Sequence, residues 1–245
     1  MERLYINPRY QRLVTEHDLA TVDKLLGDNV QGDALERGDE RNTYRLQLAG
    51  KGFFLKQIYK KRSLHALESV LQLRQPHHYA WREMQQALNL QAEGVDVMPV
   101  AAAGERTHRG LPVASAILVE QVEGQSLDTR FAQADSRHQH LFLRQLGALT
   151  GRLHLAGFFG TVRMKDVIVD AAGKYVLIDR EVRNPHPKRF RTKRAVESLR
   201  RFMHRQRRDF PLWQHQHSCS YLDGYLDQAG HKLSVTAQQL LSLID

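Results

Sequence analysis

The 245-residue chain contains one cysteine, Cys219, so no intramolecular disulfide can form and a disulfide-stapled secreted scaffold is excluded. It has no run near the roughly 18 apolar residues that a membrane-spanning helix needs, and any membrane contact is expected to be peripheral. The opening stretch MERLYINPRYQRL lacks the apolar segment of a secretory signal. These absences lead to the expectation of a cytoplasmic protein. Internal repeats and low-complexity segments are also missing, and the length suffices for one domain or for a small lobe plus a larger one.

Acid is the scarcer charge, with 27 Asp and Glu against 36 Lys and Arg, and the formal charge of +9 points to an anionic partner. The imbalance is local. Between Lys188 and Arg208 stand ten Lys/Arg and a single acid, Glu197, an excess equal to that of the whole chain. Ala195, Val196, Leu199, Phe202 and Met203 recur there at helical spacing, so residues 188–208 read as an amphipathic helix with an apolar face turned inward and a cationic remainder. Such a face either binds an anion or lies in solvent. Arg200, Arg201, Arg205 and Arg208 are the candidate anion-binding residues.

Residues 1–34 read as an N-terminal extension, with Leu19, Val22, Leu25 and Leu26 at helical spacing after a possible cap at Thr15. From Leu35 the pattern becomes strand-like. YRLQLAGKGFFLKQIY alternates and turns at a Gly-Lys-Gly, predicting a hairpin. YAWREMQQALNLQAEG places Trp81, Met84 and Leu88 on one helical stripe with Gly94 as the stop. Strand, turn and strand follow to Glu123-Gly124, the expected boundary, and then one long helical pattern runs to Gly157. GFFGTVRMKDVIVDAAGKYVLIDREV reads as two short strands joined by a turn, ahead of the basic helix and a helical C-terminus. The division is thus 35–123 for a strand-rich half with one helix, and 124–245 for a helical half with one hairpin.

A lysine inside a strand is usually solvent-facing, but Lys56 in FFLKQ is followed by Glu83 on the next helix. A strand lysine paired with a helix glutamate is the device that holds the α- and β-phosphates of ATP in kinase folds. The apolar strand running into Glu120-Gln121-Val122 suits a hinge whose backbone groups, at Glu120 and Val122, face an adenine ring. Asp179 in YVLIDREV stands where protein kinases carry a metal-binding aspartate. Counting back thirteen and eighteen residues, the kinase spacings of the metal-ligating asparagine and the catalytic aspartate, gives Asp166 and Thr161. An oxygen ligand at Asp166 is chemically reasonable for Mg²⁺.

In that order YRLQLAGKGFFLKQ, WREMQQALNLQAEGVDVMPVAA, ILVEQVEGQSL, GRLHLAGFF and VIVDAAGKYVLIDREVR resemble the Kdo/heptose kinases of lipopolysaccharide inner-core assembly, relatives of the eukaryotic-type protein kinases. The resemblance covers roughly Leu35 to Phe210. It implies an α+β, protein-kinase-like two-lobed fold with a small β-rich N-lobe and a larger helical C-lobe. It further implies ATP and Mg²⁺, a cytosolic face, and transfer of the γ-phosphoryl group to a sugar hydroxyl of a lipid-anchored acceptor. Carried over, Lys56 and Glu83 position phosphates, Glu120 to Val122 form the hinge, and Asp166 and Asp179 hold metal.

The chain departs from the family pattern at the catalytic loop, where Phe159-Gly160-Thr161 stands in place of an H-R-D or H-G-D sequence. Counting from Gly157 instead moves the aspartate position to Val162 and the asparagine position to Val167. Neither register supplies a base. The glycine-rich loop is absent, only Gly38 marking LERGDERNTYRL, and Asp179 is followed by Arg180 and Glu181. Two readings follow: a divergent kinase drawing an acid from Asp166 or Glu181, or a noncatalytic pseudokinase that binds nucleotide or glycolipid. With either reading the basic segment is expected to hold the phosphorylated sugar of the lipopolysaccharide core glycolipid or the anionic inner leaflet; a third reading gives it nucleic acid, although no nucleic-acid-binding motif is present and Phe202 lies on the inward stripe. The pairs His138/His140 and His215/His217 point apart on a helix and do not suit a metal.

Overall fold

The computed structural model describes residues 1–28, 30–59, 77–179, 186–233 and 235–244. They divide into two compact units. The first comprises Met1–Leu88, Met98–Val122 and Asp179–Pro185, and the second Asn89–Val97, Glu123–Ile178 and His186–Asp245.

The first unit is built on β1 (Glu2–Ile6), α1 (Gln11–Glu16), α2 (Val22–Leu26), β2 (Asp33–Arg37), β3 (Arg41–Leu48), β4 (Lys51–Ile58), α3 (Tyr79–Ala92), β5 (Val100–His108) and β6 (Leu111–Glu120). Its strands form a six-stranded sheet in the order β1-β5-β6-β4-β3-β2, antiparallel at every pairing. The expected hairpin is β3–β4. Leu48 pairs with Lys51 across Ala49 and Gly50, whose φ values of 49° and 78° give the doubly left-handed backbone that matches strand twist.

Residues 1–34 are a correction to the sequence reading. They do not stand apart as an extension: β1 is the sheet's edge strand beside β5, and Val14, Val22, Leu25 and Leu26 are buried against Phe53, Leu55 and Leu118. Their apolar side chains cover the sheet face opposite α3, which would otherwise be wet. Thr15 does not cap the second helical turn either. Thr21 does, its side chain accepting the Lys24 N–H at 3.2 Å.

Strand alternation sets the chemistry of β4. Phe53 and Leu55 enter the core with α1 and α2, and Gln57 donates to the Leu25 and Gly27 carbonyls, so Lys56 faces the other way. Helix α3 ends as its sequence foretells. Gly94 takes φ 71°, its N–H bonds the Gln91 carbonyl, and Val95 N–H bonds that of Leu90.

The second unit holds β7 (Gln125–Ser126), α4 (Leu127–Gln133), α5 (Ser136–Leu155), β8 (Val167–Val169), β9 (Tyr175–Leu177), α6 (Thr192–Asp209), α7 (His215–Leu233) and α8 (Ala237–Ile244). The single long helix expected before Gly157 is two helices. Asp135 starts the second, accepting the His138 N–H at 2.9 Å. Helices α5 and α7 cross in backbone contact, since a Cβ on Gly147 would sit 1.9 Å from the Tyr221 carbonyl oxygen and one on Gly224 1.8 Å from that of Arg144. The basic helix begins at Thr192 rather than 188, and it buries Ala195, Leu199, Phe202 and Met203. Phe202 stacks on Tyr221 at 4.1 Å.

Strands β7, β8 and β9 make a small antiparallel sheet. The β8–β9 turn is closed by Asp170, whose Oδ1 accepts the Ala172 and Lys174 N–H groups. Val167 pairs with Leu177, and Ile178 N–H donates to the Asp166 carbonyl. Asp166 thereby stands just before β8, beside the end of β9.

Candidate functional site

In the first unit three of the predicted residues meet. Lys56 Nζ lies 3.0 Å from Glu83 Oε1 and 2.6 Å from Asp179 Oδ1. Lys56 and Glu83 are buried, while the Asp179 side chain is 44% exposed. Burial pulls the ammonium's pKa down, but Glu83 and then Asp179 outweigh it and hold Lys56 above its ordinary value. Burial pushes the Glu83 carboxyl up against the pull of Lys56. Asp179 adopts φ 49°, a conformation that costs a non-glycine residue energy and concentrates at functional sites. The group is a fixed cation flanked by one buried and one accessible carboxylate, suited to a polyphosphate and a hard metal ion.

What aims Glu83 was missed in the sequence. The start of α3 is anchored to β5 and β6: His78 N–H donates to the fully buried Glu105 carboxylate at 2.6 Å, and Ala80 N–H donates to Ser115 Oγ at 3.3 Å. These side chains satisfy helix N–H groups that have no partner within the helix. A glutamate following Gly104 in an otherwise alanine-rich strand was the available signal.

At the end of β6 the Glu120 N–H bonds the Pro99 carbonyl and the Gln121 N–H bonds that of Gly52, so both are committed to the segments on either side of β6. Val122 follows them, half-buried. The Glu120 carboxylate accepts from Tyr10 Oη and from Lys51 Nζ, the latter at 2.9 Å. Partial burial pushes its pKa up, yet Tyr10 and Lys51 prevail and hold it below the usual carboxylate range. The turn before β3 contains only Gly38, whose N–H donates to Asn42 Oδ1.

In the second unit the loop before β8 offers little to catalysis. Thr161 is half-buried, and Val162 and Val167 are buried aliphatic side chains. Asp166, on the 3-10 turn Met164–Asp166, is buried, and Arg163 engages both its oxygens, Nε to Oδ2 at 2.5 Å and Nη2 to Oδ1 at 2.7 Å. His154 is a buried structural residue, its ring nitrogens within 3.0 Å of Tyr225 Oη and 3.1 Å of Ser198 Oγ. Glu181 lies outside the described residues.

The four predicted arginines of α6 have different surroundings. Arg200 donates to the Leu243 and Ile244 carbonyls, neutralising the C-terminal end of α8. Arg201 reaches the loop, with Nε 3.4 Å from Thr161 Oγ1 and Nη2 3.5 Å from the Phe159 carbonyl, and it also pairs with Glu197. Arg208 is bonded to Asp209 at 2.8 Å, and Arg205 lines a shallow concavity of about 400 Å³ with its arginine neighbours.

Among the described residues no three His, Cys, Asp or Glu side chains gather for a metal. Mg²⁺ is usually held by one or two carboxylates plus substrate phosphates. Asp179, partly exposed and paired with Lys56 through Oδ1, could fill that role. Asp166 fits it only if the Arg163 guanidinium is displaced.

A family model described as lipopolysaccharide kinase (Kdo/WaaP) matches residues 28–245. The chain is 28% identical over 134 residues to the lipopolysaccharide core heptose(I) kinase WaaP of Escherichia coli, covering 52% of this chain and 51% of that protein. It is 28% identical over 144 residues to the protein of that name from strain K12, covering 56% and 52%. The chain thus aligns with about half the length of these relatives. A solved structure described as WaaP in complex with acyl carrier protein superposes with a TM-score of 0.66 over 99% of this chain and 96% of that one, at 17% identity, a likeness of fold.

Proposed function

The chain belongs to the lipopolysaccharide kinase (Kdo/WaaP) family, and on that premise we propose that it binds ATP but transfers the γ-phosphoryl group to a core-sugar hydroxyl slowly or not at all. The observation that carries this reading is a contrast. Lys56, Glu83 and Asp179, the residues we assign to phosphate positioning, meet in one ion-paired group, while the loop expected to supply a base has buried valines and a carboxylate paired with Arg163.

In this reading Lys56 binds the α- and β-phosphates, Glu83 fixes the ammonium, and the backbone of Val122 meets the adenine, the Glu120 and Gln121 N–H groups being already bonded to the Pro99 and Gly52 carbonyls. Asp179 would hold Mg²⁺, which when bound neutralises phosphate charge. Positioning and electrostatics dominate phosphoryl transfer, so an assembled phosphate site can outlive its chemistry. Loss of a general base typically costs 10²–10⁴-fold in rate. An active divergent enzyme would need Arg163 to release Asp166.

The test pairs two measurements on one preparation, ATP affinity by equilibrium dialysis and ATP turnover with lipopolysaccharide core oligosaccharide. The expected result is saturable binding with turnover far below the roughly 1–100 s⁻¹ usual for kinases. Turnover within that range overturns the proposed loss of chemistry, and absence of binding overturns the nucleotide site.

A further inference from the structure

The β2–β3 turn stands where kinase folds lay a glycine-rich loop over the nucleotide phosphates, but its backbone is poorly equipped for that task. Its one glycine, Gly38, gives its N–H to Asn42 Oδ1 at 3.2 Å, and Asp39 and Glu40 bring negative charge. The next residue is a cation, Arg41.

Register decides which way Arg41 faces. Across the β3–β4 hairpin Thr43 pairs with Lys56 and Arg41 with Ile58, so Arg41 stands on the Lys56 side of the sheet, away from the core that holds Phe53 and Leu55. Strand β4 runs along β6 from Phe53 opposite Glu120 to Ile58 opposite Ser115. Arg41 therefore lies beyond Lys56 in the direction leading away from Glu120 and the adenine, by about 7 Å at the rise of a strand. Burial pushes the Glu83 carboxyl up; Lys56 pulls it back most and Arg41 also pulls it down, so both cations act on one carboxylate.

The partner that Arg41 has is a poor one. Its Nε lies 3.4 Å from Glu36 Oε2, outside hydrogen-bond geometry, although that nitrogen is shut off from solvent. The Arg41 side chain is 38% exposed and that of Glu36 56%, and an ion pair so open contributes little to stability. A buried donor without an acceptor is costly. A phosphate oxygen would supply the acceptor, since the guanidinium fork matches phosphate in both charge and geometry.

Resting on the nucleotide site proposed above, we infer that Arg41 is its second phosphate-binding cation, a side chain that holds the ATP phosphates beyond the α position in place of a glycine-rich backbone. Glu36 keeps the guanidinium near the site until the nucleotide arrives, and the phosphates then replace it as partner.

The test is equilibrium dialysis of the full chain with ATP and with AMP, each with Mg²⁺. Arg41→Ala is expected to raise the Kd for ATP at least about tenfold, the scale of a lost charge-assisted hydrogen bond, and that for AMP by less than about twofold. Arg41→Lys, which keeps the charge but not the fork, should fall between Arg41→Ala and wild type. Glu36→Gln releases the guanidinium and should not weaken ATP. The melting temperature of each variant without ligand checks its fold. Equal losses for ATP and AMP overturn the inference, as does a loss of ATP affinity in Glu36→Gln as large as that in Arg41→Ala; either makes Arg41 a structural part of the sheet. Arg41→Ala binding ATP as wild type does overturns it while the site at Lys56 stands, and a wild type that binds neither nucleotide overturns the site and the inference together.

Discussion

Arg163 grips Asp166 with two parallel hydrogen bonds, at 2.5 and 2.7 Å, inside one 3-10 turn. The carboxylate that kinase spacing nominates for metal is thus already matched by a cation of this chain. Removing the guanidinium leaves a buried carboxylate unpaired. Because the Arg163 side chain is about one-third exposed, Arg163→Ala is expected to destabilise by only about 1–2 kcal/mol. A urea midpoint that does not move would show that Asp166 is solvated without its partner.

Restoring a base should restore chemistry. A threonine hydroxyl cannot serve as a base near neutral pH, and Thr161 is the half-buried loop position with Arg201 near its oxygen. Thr161→Asp is expected to raise ATP turnover on core oligosaccharide at least about tenfold. If Val162→Asp does so instead, the register counted from Gly157 is the operative one. Val162 is fully buried, so that variant should also lose about 1–3 kcal/mol in denaturant unfolding.

The Tyr10–Glu120–Lys51 group gives a pH signature. Glu120 is held below its ordinary value by Tyr10 and Lys51 against partial burial. A carboxylate depressed in the folded state stabilises fully above its unfolded pKa, about 4.3, and that contribution fades as pH falls through the folded value. Tyr10→Phe should therefore lower the melting temperature at pH 7, by the equivalent of about 1–2 kcal/mol, and much less near pH 3. An equal loss at both values would mean that Tyr10 acts through packing alone.

The sheet hairpin, the end of α3 at Gly94 and the apolar face of α6 were legible because each rests on local pattern: a tight turn, a glycine stop, a helical period. Lys56, Glu83 and Asp179 were legible because their order in the chain follows a known device. Residues 1–34 were not. Their helices are only five and six residues long, too short for a period to stand out, and their place is set by the sheet they cover. The Glu105 anchor of α3, Tyr10 beneath Glu120 and the Arg201 contact with Thr161 join residues distant in sequence, and no local spacing announces them. Arg163 is only three residues from Asp166, but pairing at that distance depends on a 3-10 turn that propensity does not reveal.

The proposed nucleotide site rests most directly on Lys56. A ligand that binds only the folded state stabilises it by RT ln(1 + [L]/Kd), so ATP with Mg²⁺ should raise the melting temperature in step with nucleotide concentration. Lys56→Met keeps much of the side-chain volume and removes the charge. The measurement is the ATP-induced melting shift of wild type and Lys56→Met, each against its own ligand-free value. A clear shift at millimolar ATP that is mostly lost in the variant is expected; no shift in the wild type, or an undiminished one in Lys56→Met, would contradict the nucleotide site.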